Sequence, residues 1–510
     1  MDDARGKPAI LSGLLRPEAY PHAVHDLRVL ETHISWVVLT GEFAYKIKKP
    51  VHFNFVDYST LELRRACCEE ELRLNRRLAP ELYLDVIPIS GSPDRCRVGG
   101  TGGAIEFAVR MRQFDQQALL ADAMLAGRVT ERDVADFGRR LAAFHLALGD
   151  PVPQGLGRPD AIAKSVGDVF ALLREHAPAS HAKLVDEIDA WRQAEHSLLE
   201  ETFAARLREG FVRECHGDLH LGNLLLLDDR IVAFDGIEFN PSLRWIDVQS
   251  ETAFLFMDLE AERRRDAAFP FLNAYLEVTG DYAGAPLLPY YIVYRAAVRA
   301  AVTLLRCEQV SDADALTSLH GTAERYLKEA KRWGERPQAS LAIMHGVSGS
   351  GKSFTAANLV REHGAIRLRS DLERKRMFGV SPGHPAPPEA YSSEATSAVY
   401  RRLEELAEKL LSAGLSVIVD ATFLRRDERR RFGDLAKRLS VPFCIWDCHA
   451  PRDVLEQRIR ARQQSSSDPS DATIEVLEAQ LRRVEPLDEA ERAISVLSRL
   501  TGSTPSPVTR

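Results

Sequence analysis

The sequence lacks the usual features of a secreted or membrane-spanning protein. Its seven cysteines are scattered over 510 residues without the paired spacings of a zinc site, so we expect free thiols in a reducing compartment. No stretch approaches about 18 uninterrupted apolar residues, which argues against a transmembrane helix. The first residues, "MDDARGKPAILSGLL", have no basic segment followed by a long apolar core, so no secretory signal is expected. These absences predict a cytoplasmic protein.

A large excess of charge of one sign is also lacking. The formal net charge is −7 at pH 7, which provides no overall attraction to nucleic acid or to an anionic membrane. The apolar fraction of 45% and the charged fraction of 28% are those of a globular protein. Because 510 residues are too many for one hydrophobic core, we expect two or three domains.

The pattern of predicted elements changes near residue 340. Before it, short β-branched and aromatic runs are followed by a helix, further strands and a long helical region. Residues 331–340 are polar and contain Gly and Pro, and they form the predicted linker between a domain over residues 1–330 and one over 341–500. In the second domain apolar strands alternate with helices, which predicts a parallel sheet of βαβ units. The tail, residues 501–510, is predicted to be disordered.

One segment of the second domain, "GVSGSGKS", matches the pattern G-x-x-x-x-G-K-[ST] at every position. Its glycines let backbone N–H groups turn around a phosphate, its lysine neutralises the β and γ oxygens, and its serine offers a hydroxyl to Mg²⁺. An apolar strand (341–344) precedes it and a helix (354–362) follows it, which is the context that a P-loop requires. The predicted ATP-binding residues are Gly346, Val347, Ser348, Gly349, Ser350, Gly351, Lys352 and Ser353, with Ser353 also a predicted metal ligand.

Two carboxylates follow other strands of this domain. Asp420 ends the apolar run "LSVIVD", where it can hold Mg²⁺ or one of its waters, the alternative being a cap on the next helix. Asp371 lies at the tip of the strand after the P-loop helix and is the predicted general base for an acceptor hydroxyl. For Asp371 too, an N-cap of the following helix is the alternative.

Two arginines of the segment "RDVLEQRIRARQQ" are candidates for contacting the transferred phosphate. Arg458 and Arg462 are four residues apart, so they lie on one face of a predicted helix. Two guanidinium groups on one face can clamp a phosphate as part of a lid. The alternative is an ordinary solvated basic face.

This part of the chain, residues 341–483, resembles the P-loop kinases related to polynucleotide 5′-kinase and zeta toxin, a group of AAA-type ATP-binding kinases. The matching features are "GVSGSGKS", "RSD", "VIVDATF", "APRDVLEQRIRAR" and "DPSDA". The resemblance implies phosphoryl transfer from ATP with Mg²⁺ to a hydroxyl group. It does not name a substrate, because members of this group act on nucleic-acid ends, nucleotide sugars and other acceptors.

A second arrangement for phosphoryl transfer lies in the first domain, in "CHGDLHLGN". Asp218 and Asn223 are five residues apart, as are the Asp and Asn of the kinase pattern H-R-D-x-x-x-x-N. One short loop can thus present a carboxylate to the acceptor hydroxyl and an amide oxygen to the metal. The following apolar strand, in "RIVAFDGIEF", delivers Asp235 as a second oxygen ligand for Mg²⁺.

A kinase of this type also needs a lysine on an early strand and a glutamate on the next helix. Lys46, in "AYK", is the predicted lysine, but Lys48 lies on the same face of the strand and is an alternative. Glu71 is the predicted partner, with Glu69 and Glu70 as alternatives. The acidic run could also be an ordinary solvated helix face.

The first part of the chain, residues 20–330, resembles the aminoglycoside phosphotransferase family, which has a two-lobed, protein-kinase-like α+β fold. The resemblance rests on "HGDLHLGN", "AFDGIEFN" and "WIDVQSE", and Asp247 in the last of these matches a family aspartate that braces the active site. It implies an ATP-dependent kinase. The sequence departs from the pattern in two places: the loop "ETHIS" contains no glycines, and Gly236 follows the metal aspartate where a bulky residue is common.

The sequence therefore predicts a tandem kinase, with one ATP- and Mg²⁺-dependent site in each domain and small-molecule acceptors. One alternative is a nucleotide-sensing regulator with one inactive domain, against which the retained lysine, base and metal ligands of both domains count. The other is a nucleic-acid-end or nucleotide kinase acting in repair, suggested by the basic runs "ERKRM" and "RRDERRR", although solvated helix faces are the favoured explanation of those runs. The sequence identifies neither acceptor and gives no oligomeric state.

Overall fold

The computed structural model of the chain describes residues 8–53, 56–464 and 471–498. They form two compact units whose boundaries pass through helices. Unit 1 comprises Met1–Asp133, Ala147–Ser165 and Glu200–Asp258, and unit 2 comprises Val134–Leu146, Val166–Leu199 and Leu259–Arg510. The predicted disordered tail (501–510) and the first residues of "DPSDA" lie outside the described residues.

The strands are short, and most of them belong to one of two sheets. In chain order they are β1 (Arg28–Glu31), β2 (Ser35–Leu39), β3 (Phe43–Lys48), β4 (His52–Phe53), β5 (Val56–Asp57), β6 (Tyr83–Ser92), β7 (Arg95–Val98), β8 (Ala104–Arg112), β9 (Val212–Glu214), β10 (Leu224–Leu227), β11 (Arg230–Ala233), β12 (Trp245–Asp247), β13 (Leu341–His345), β14 (Ile366–Arg369), β15 (Val417–Asp420), β16 (Phe443–Cys448) and β17 (Ser495–Ser498).

The helices account for most of the remaining described chain. In chain order they are α1 (Ala9–Leu14), α2 (Leu61–Asn75), α3 (Leu120–Leu125), α4 (Glu131–Ala147), α5 (Pro159–His176), α6 (Ala182–Arg208), α7 (Pro241–Arg244), α8 (Val248–Ala261), α9 (Arg265–Thr279), α10 (Leu288–Cys307), α11 (Ala313–Gly334), α12 (Lys352–His363), α13 (Ser370–Met377), α14 (Ser393–Ser412), α15 (Arg426–Leu439), α16 (Arg452–Gln464), α17 (Ile474–Arg483) and α18 (Glu489–Ala493).

Unit 1 is built on an antiparallel sheet with the strand order β1-β2-β3-β8-β6-β7. Successive side chains of a strand point to opposite faces, and β3 shows this clearly. Tyr45 and Ile47 enter one apolar cluster, whereas Ala44 enters another, together with Cys68 of α2. The same alternation places Lys46 and Lys48 on the face that α2 covers, as the sequence pattern predicts.

The loop that follows α6 in unit 1 is held by two small pairs of strands. β9 pairs with β12, and β10 pairs with β11 as a hairpin, both in the antiparallel sense. The hairpin turns at Asp228 and Asp229, which both adopt positive φ. Its apolar residues Leu225 and Val232 pack into the same cluster as Ala44 and Cys68. The segment between β9 and β10 is thus anchored at each end by a pair of strands.

Unit 2 contains a five-stranded parallel sheet with the order β14-β15-β13-β16-β17. The alternation of apolar strands and helices correctly predicts its first four strands. It misses β17, a four-residue strand that is partly exposed and therefore carries little apolar signal. Because the strands are parallel, the loops after β13, β14 and β15 meet at one edge of the sheet.

The two-part fold class predicted from the sequence, a kinase-like α+β part and a P-loop α/β part, is confirmed. Helix α11 continues to Gly334, so the first four residues of the predicted linker belong to its last turn. No disulfide bond joins the cysteines of the described residues. Among the described helices, none has both the length and the apolar character needed to cross a membrane.

Candidate active sites

The first candidate site, in unit 1, is organised around the ammonium group of Lys46. It contacts Glu71 Oε1 at 2.7 Å and also forms an ion pair with Asp235. Strand β3 supplies the lysine, helix α2 the glutamate, and the segment after β11 the aspartate. Three of the predicted site residues are therefore in direct contact.

Lys48, the alternative lysine, belongs to a second and fully buried ion-pair group. Its ammonium group lies 2.5 Å from Glu71 Oε2 and also contacts Glu238. Tyr58 donates a hydrogen bond of 2.7 Å to Glu238. Each carboxylate oxygen of Glu71 thus forms an ion pair with one lysine, and only Lys46 also reaches Asp235 among the contacts of the described residues.

The other two glutamates of the acidic run have different partners. Glu69 pairs with Arg65 at 2.8 Å, on the exposed side of α2. Glu70 pairs with Arg73 at 2.7 Å and with Arg244 at 2.8 Å. Their geometry supports Glu71 as the partner of the strand lysine.

The ion pairs overcome the cost of burying these charges. Burial alone would raise the pKa of Glu71, but the ammonium groups of Lys46 and Lys48 lower it to about 2. Burial by itself would lower the pKa of Lys46, but Asp235 and Glu71 raise it well above its usual value. Glu71 and Lys46 are therefore both held in their charged forms.

The loop "HGDLHLGN" brings Asp218 and Asn223 together. Asn223 Nδ2 donates to the Asp218 carboxylate at 2.8 Å and to its carbonyl at 3.0 Å. His220 accepts at Nδ1 from Gly222 N–H at 3.0 Å, so its Nε2 carries the proton and lies 3.3 Å from Asp218 Oδ2. Because Nδ2 faces Asp218, the amide oxygen of Asn223 is the atom that can hold a cation.

Buried carboxylates of α8 hold this loop in place. Glu251 accepts from the backbone N–H groups of His216, at 2.7 Å, and of Gly217, at 2.9 Å. Asp258 accepts from the N–H of Leu221 at 2.8 Å. A buried carboxylate bound to backbone donors fixes both partners strongly, because it would otherwise be unsolvated.

Asp235 has a left-handed backbone conformation, with φ of 62°, which is uncommon for a residue other than glycine. Its N–H donates to the hydroxyl of Tyr83 at 3.0 Å, and the N–H of Gly236 donates to Asn75 Oδ1 at 2.7 Å. A Cβ on Gly236 would lie 3.2 Å from the carbonyl oxygen of His216. This close approach favours glycine at the position after Asp235, the predicted metal ligand.

Asp247, which the family resemblance assigns a bracing role, forms a buried two-pronged ion pair with Arg206, at 2.6 and 2.8 Å. It also accepts from the N–H of Gln249 at 2.8 Å. It belongs to β12, which pairs with β9 immediately before the "HGDLHLGN" loop. This position fits a residue that supports the loop from behind.

The second candidate site, in unit 2, begins with the loop after β13. Gly346, Gly349 and Gly351 all have positive φ. A Cβ on Gly346 would come within 2.4 Å of the carbonyl oxygen of Cys448, which no side chain can accommodate. The loop therefore depends on glycine both for its backbone conformation and for its close contact with β16.

Lys352 begins helix α12 and is almost completely buried. Its ammonium group donates to the carbonyl oxygen of Val347 at 2.8 Å. Burial lowers the pKa of Lys352, and Asp420 only partly opposes that effect. A bound phosphate would supply the negative charge that this position lacks, which fits the phosphate-binding role of a P-loop lysine.

A cavity of about 1260 Å³ opens at the carboxyl edge of the parallel sheet. Of the predicted nucleotide-binding residues, Gly346, Val347 and Ser350 do not line it. The predicted residues that line it are Ser348, Gly349, Gly351, Lys352, Ser353, Asp371, Asp420, Arg458 and Arg462. The structure thus gathers all the side-chain candidates of this half around one cavity.

The two carboxylates of this site are not helix caps. Asp420 is the last residue of β15, and the next helix, α15, begins only at Arg426. Asp371 is the second residue of α13, whose N-terminus has no side-chain cap. In this described part of the chain, neither aspartate has the helix-capping role that was the alternative. Both residues line the cavity instead.

The two arginines of α16 also lie at the cavity wall, as their spacing predicts. Arg458 Nη1 donates to the carbonyl oxygen of Gly349 at 3.0 Å, which ties this helix to the P-loop. From α17, Gln480 accepts from the N–H of Ser348 at 2.7 Å. Helices α16 and α17 thus close the P-loop side of the cavity.

Part of the cavity wall is lined by polar side chains. Asp471 accepts from the hydroxyl of Tyr391 at 2.7 Å, from the N–H of Ala386 at 2.9 Å and from Lys375 at 3.1 Å. Burial raises the pKa of Glu428, which also lines this wall. Hydroxyl groups and charged groups are therefore available at this wall in addition to the P-loop.

The basic runs that suggested nucleic-acid binding are largely paired within the protein. In the first, Lys375 is buried and contacts Asp471, while Arg376 forms an ion pair with Glu373. In the second, the buried Arg429 contacts Glu491 at 2.7 and 2.9 Å. These ion pairs neutralise much of the positive charge of the two basic runs inside the protein.

Several residues that shape the sites do not stand out in the sequence. Glu238 and Tyr58 hold Lys48, and Glu251 holds the "HGDLHLGN" loop, all through contacts distant in the chain. Glu238 had no local signal in the sequence. The position of Gln480 had none, because a glutamine in an amphipathic helix is ordinary.

Comparison with known proteins supports the family resemblance predicted for each of the two parts of the chain. A family model described as "Phosphotransferase enzyme family" matches residues 62–235, and one described as "AAA domain" matches residues 341–487. The chain is 34% identical over 485 residues to "Uncharacterized protein Rv2004c" of Mycobacterium tuberculosis and to "Uncharacterized protein Mb2027c" of Mycobacterium bovis. Each alignment covers 92% of this chain and 93% of the relative.

Solved structures resemble one half or the other. A choline/ethanolamine kinase family protein from Mesorhizobium loti is 14% identical, with a TM-score of 0.37, over 63% of this chain and 98% of that one. A gluconokinase from Sinorhizobium meliloti 1021 is 20% identical, with a TM-score of 0.24, over 32% of this chain and 83% of that one. Similarity at this level concerns the fold alone.

Proposed function

Since the chain belongs to the same family as these mycobacterial proteins, and joins a phosphotransferase-family domain to an AAA domain, we propose that it is a bifunctional ATP-dependent kinase. Each half transfers the γ-phosphoryl group of ATP to a hydroxyl group of a small-molecule acceptor. The two reactions take place at the two candidate sites described above.

One observation carries this proposal: each compact unit gathers a lysine, a candidate base and candidate oxygen ligands for a metal. In unit 1 these are Lys46, Asp218 and the pair Asn223 and Asp235. In unit 2 the corresponding residues line one cavity. They are Lys352, the candidate base Asp371, and the candidate metal ligands Ser353 and Asp420. A regulatory domain without transfer activity has no need to keep all three types of group.

In unit 1, the carboxylate of Asp218 is the group that accepts the proton of the acceptor hydroxyl. The oxygen of the acceptor hydroxyl then bonds to the γ-phosphorus of ATP. The bond from the γ-phosphorus to the bridging oxygen breaks, and ADP leaves. Lys46, held by Glu71, places its positive charge beside the phosphates. The amide oxygen of Asn223 and the carboxylate of Asp235 are suited to Mg²⁺, which offsets phosphate charge when bound.

In unit 2, the backbone N–H groups of the P-loop and Lys352 hold the phosphates, and Asp371 accepts the proton of a second acceptor. Ser353 and Asp420 supply a hydroxyl and a carboxylate, which are oxygen ligands that Mg²⁺ accepts. Arg458 and Arg462 place positive charge near the transferred group. Positioning and electrostatic stabilisation account for most of the rate in reactions of this kind.

The polar residues that line the cavity besides the P-loop favour a small, polar acceptor for this second site. Tyr391, Asp471 and Glu428 offer hydroxyl and carboxylate groups that can hydrogen-bond to a hydroxylated molecule. Nucleic acid is a less favoured acceptor, because the neighbouring basic runs are largely paired within the protein.

The proposal is tested by incubating the full-length protein with labelled ATP and a cell extract, then identifying labelled products. Wild type is expected to form two products. Asp218→Asn should abolish one of them and Lys352→Ala the other, each leaving the remaining product at its normal level. If neither variant loses a product that wild type forms, the protein does not carry two active sites.

A further inference from the structure

Strand β14 is at the edge of the parallel sheet in unit 2, so its outer backbone groups need partners from outside the sheet. Helix α9 provides them. Asn273 donates from Nδ2 to the carbonyl oxygen of Ala365 at 2.9 Å and accepts at Oδ1 from the N–H of Arg367 at 2.6 Å. Tyr282, just after α9, donates to the carbonyl oxygen of Arg367 at 3.3 Å.

The same helix places a carboxylate against two arginines of β14. Glu277 accepts from Arg367 Nε at 3.0 Å on its Oε1 atom. Its other oxygen, Oε2, lies 3.6 Å from Arg369 Nη1. All three side chains are largely buried, with exposed fractions of 14 to 16%, so the pairing is shielded from solvent.

Each of these arginines also reaches a candidate metal ligand of the P-loop site. Arg367 Nη1 lies 3.4 Å from the carbonyl oxygen of Ser353. Arg369 Nε lies 3.9 Å from Asp420 Oδ2, and Arg369 itself lines the cavity. Each carboxylate oxygen of Glu277 therefore contacts one arginine. Arg367 links it to Ser353, and Arg369 links it to Asp420.

From this connection we propose that Glu277 is a positioning residue for the P-loop site, holding Arg367 and Arg369 so that Ser353 and Asp420 keep the geometry needed for a metal-bound nucleotide. The proposal rests on the proposed ATP-binding function of this half. Glu277 precedes the segment that matches the AAA domain, residues 341–487. The P-loop site is therefore incomplete in that segment alone.

The electrostatic reason is that Arg369 lies between two carboxylates, Glu277 and Asp420. Without Glu277, the largely buried guanidinium group of Arg369 would draw more strongly on Asp420, the carboxylate proposed as a metal ligand. With Glu277 in place, Asp420 needs to neutralise only part of the charge of Arg369.

The test measures ADP binding to full-length protein by calorimetry, with and without Mg²⁺, in a Lys46→Met background that disables the first site. Glu277→Gln is expected to weaken ADP binding in the presence of Mg²⁺ by about tenfold, and binding without Mg²⁺ much less. The control is Tyr282→Phe, which removes another contact between the same elements. It is expected to lower the melting temperature slightly and to leave ADP affinity unchanged.

A double-mutant cycle separates positioning from a general loss of structure. In an Arg369→Gln background, Glu277→Gln should have less than half of its effect on Mg²⁺-dependent affinity, because part of its action passes through Arg369. An undiminished effect in that background overturns the proposal, as does unchanged affinity in Glu277→Gln. If the Lys46→Met parent itself binds no ADP, the proposed function of this half fails first, and the proposal fails with it.

Discussion

Lys46 donates to Glu71 at 2.7 Å, and this contact defines the first site. Lys48 lies 2.5 Å from the other oxygen of the same glutamate, so two lysines of one strand share one partner. Their surroundings differ, however. Lys46 is partly accessible and reaches Asp235, whereas Lys48 is fully buried beside Glu238. The first is suited to binding phosphate and the second to holding the structure together.

Replacing each lysine by methionine should separate these roles. Lys46→Met is expected to abolish nucleotide binding at the first site with a stability loss of roughly 1–2 kcal/mol, because Glu71 keeps Lys48 as a partner. Lys48→Met should cost about 3–5 kcal/mol, since it leaves Glu238 and half of Glu71 buried without a cation. Calorimetric nucleotide binding and urea unfolding measure the two effects.

The opposite pattern would contradict this assignment. If Lys48→Met folds with normal stability yet loses nucleotide binding, while Lys46→Met still binds, then Lys48 is the phosphate-binding lysine. The variants differ from wild type in the same chemical way and lie two residues apart, so each serves as the control for the other.

The pKa of Glu71 predicts a specific effect of acid. Because its folded-state pKa is lowered from 4.5 to about 2, Glu71 contributes stability that is present above about pH 4.5. That contribution is lost as the pH falls toward 2, and it is on the order of 3 kcal/mol. The measurement is the unfolding free energy of wild type and Glu71→Gln between pH 6 and the lowest pH at which both fold.

The difference between the two proteins should shrink as the pH falls through this range. Other carboxylates affect both proteins equally, so the difference isolates position 71. A constant difference across the range would mean that Glu71 is not held in its ionised form by the two lysines.

The two carboxylates of the second site should affect different steps. Asp371→Asn is expected to lower phosphoryl transfer by this half at least about 100-fold while leaving ATP affinity unchanged, because a general base acts on the acceptor. Asp420→Asn should instead weaken nucleotide binding only when Mg²⁺ is present. Product formation and calorimetric binding distinguish the variants, and equal loss of binding in both would remove the assigned roles.

Local sequence patterns were sufficient to predict much of this structure. The P-loop and its flanking elements follow from eight consecutive residues with a fixed backbone requirement. The period of two in β3 placed Lys46 and Lys48 on one face, and the five-residue spacing brought Asp218 next to Asn223. These features depend on residues near one another in the chain.

Features that depend on distant residues could not be predicted in the same way. The pairing of Lys48 with Glu238 joins residues 190 positions apart, and no local pattern distinguishes it from an ordinary charged strand. Glu277 lies near the end of a largely apolar helix with no local sign of its role, although it contacts Arg367, 90 residues later in the chain, and also Arg369. The choice between Lys46 and Lys48 likewise required the position of Asp235.

The central claim, two nucleotide sites on one chain, is tested most directly by the stoichiometry of binding. A non-hydrolysable ATP analogue with Mg²⁺ is titrated into wild type, Lys46→Met, Lys352→Ala and the double variant by calorimetry. Two active sites require two bound nucleotides per chain for wild type, one for each single variant and none for the double variant. One nucleotide per chain in wild type, or two in either single variant, would contradict that claim.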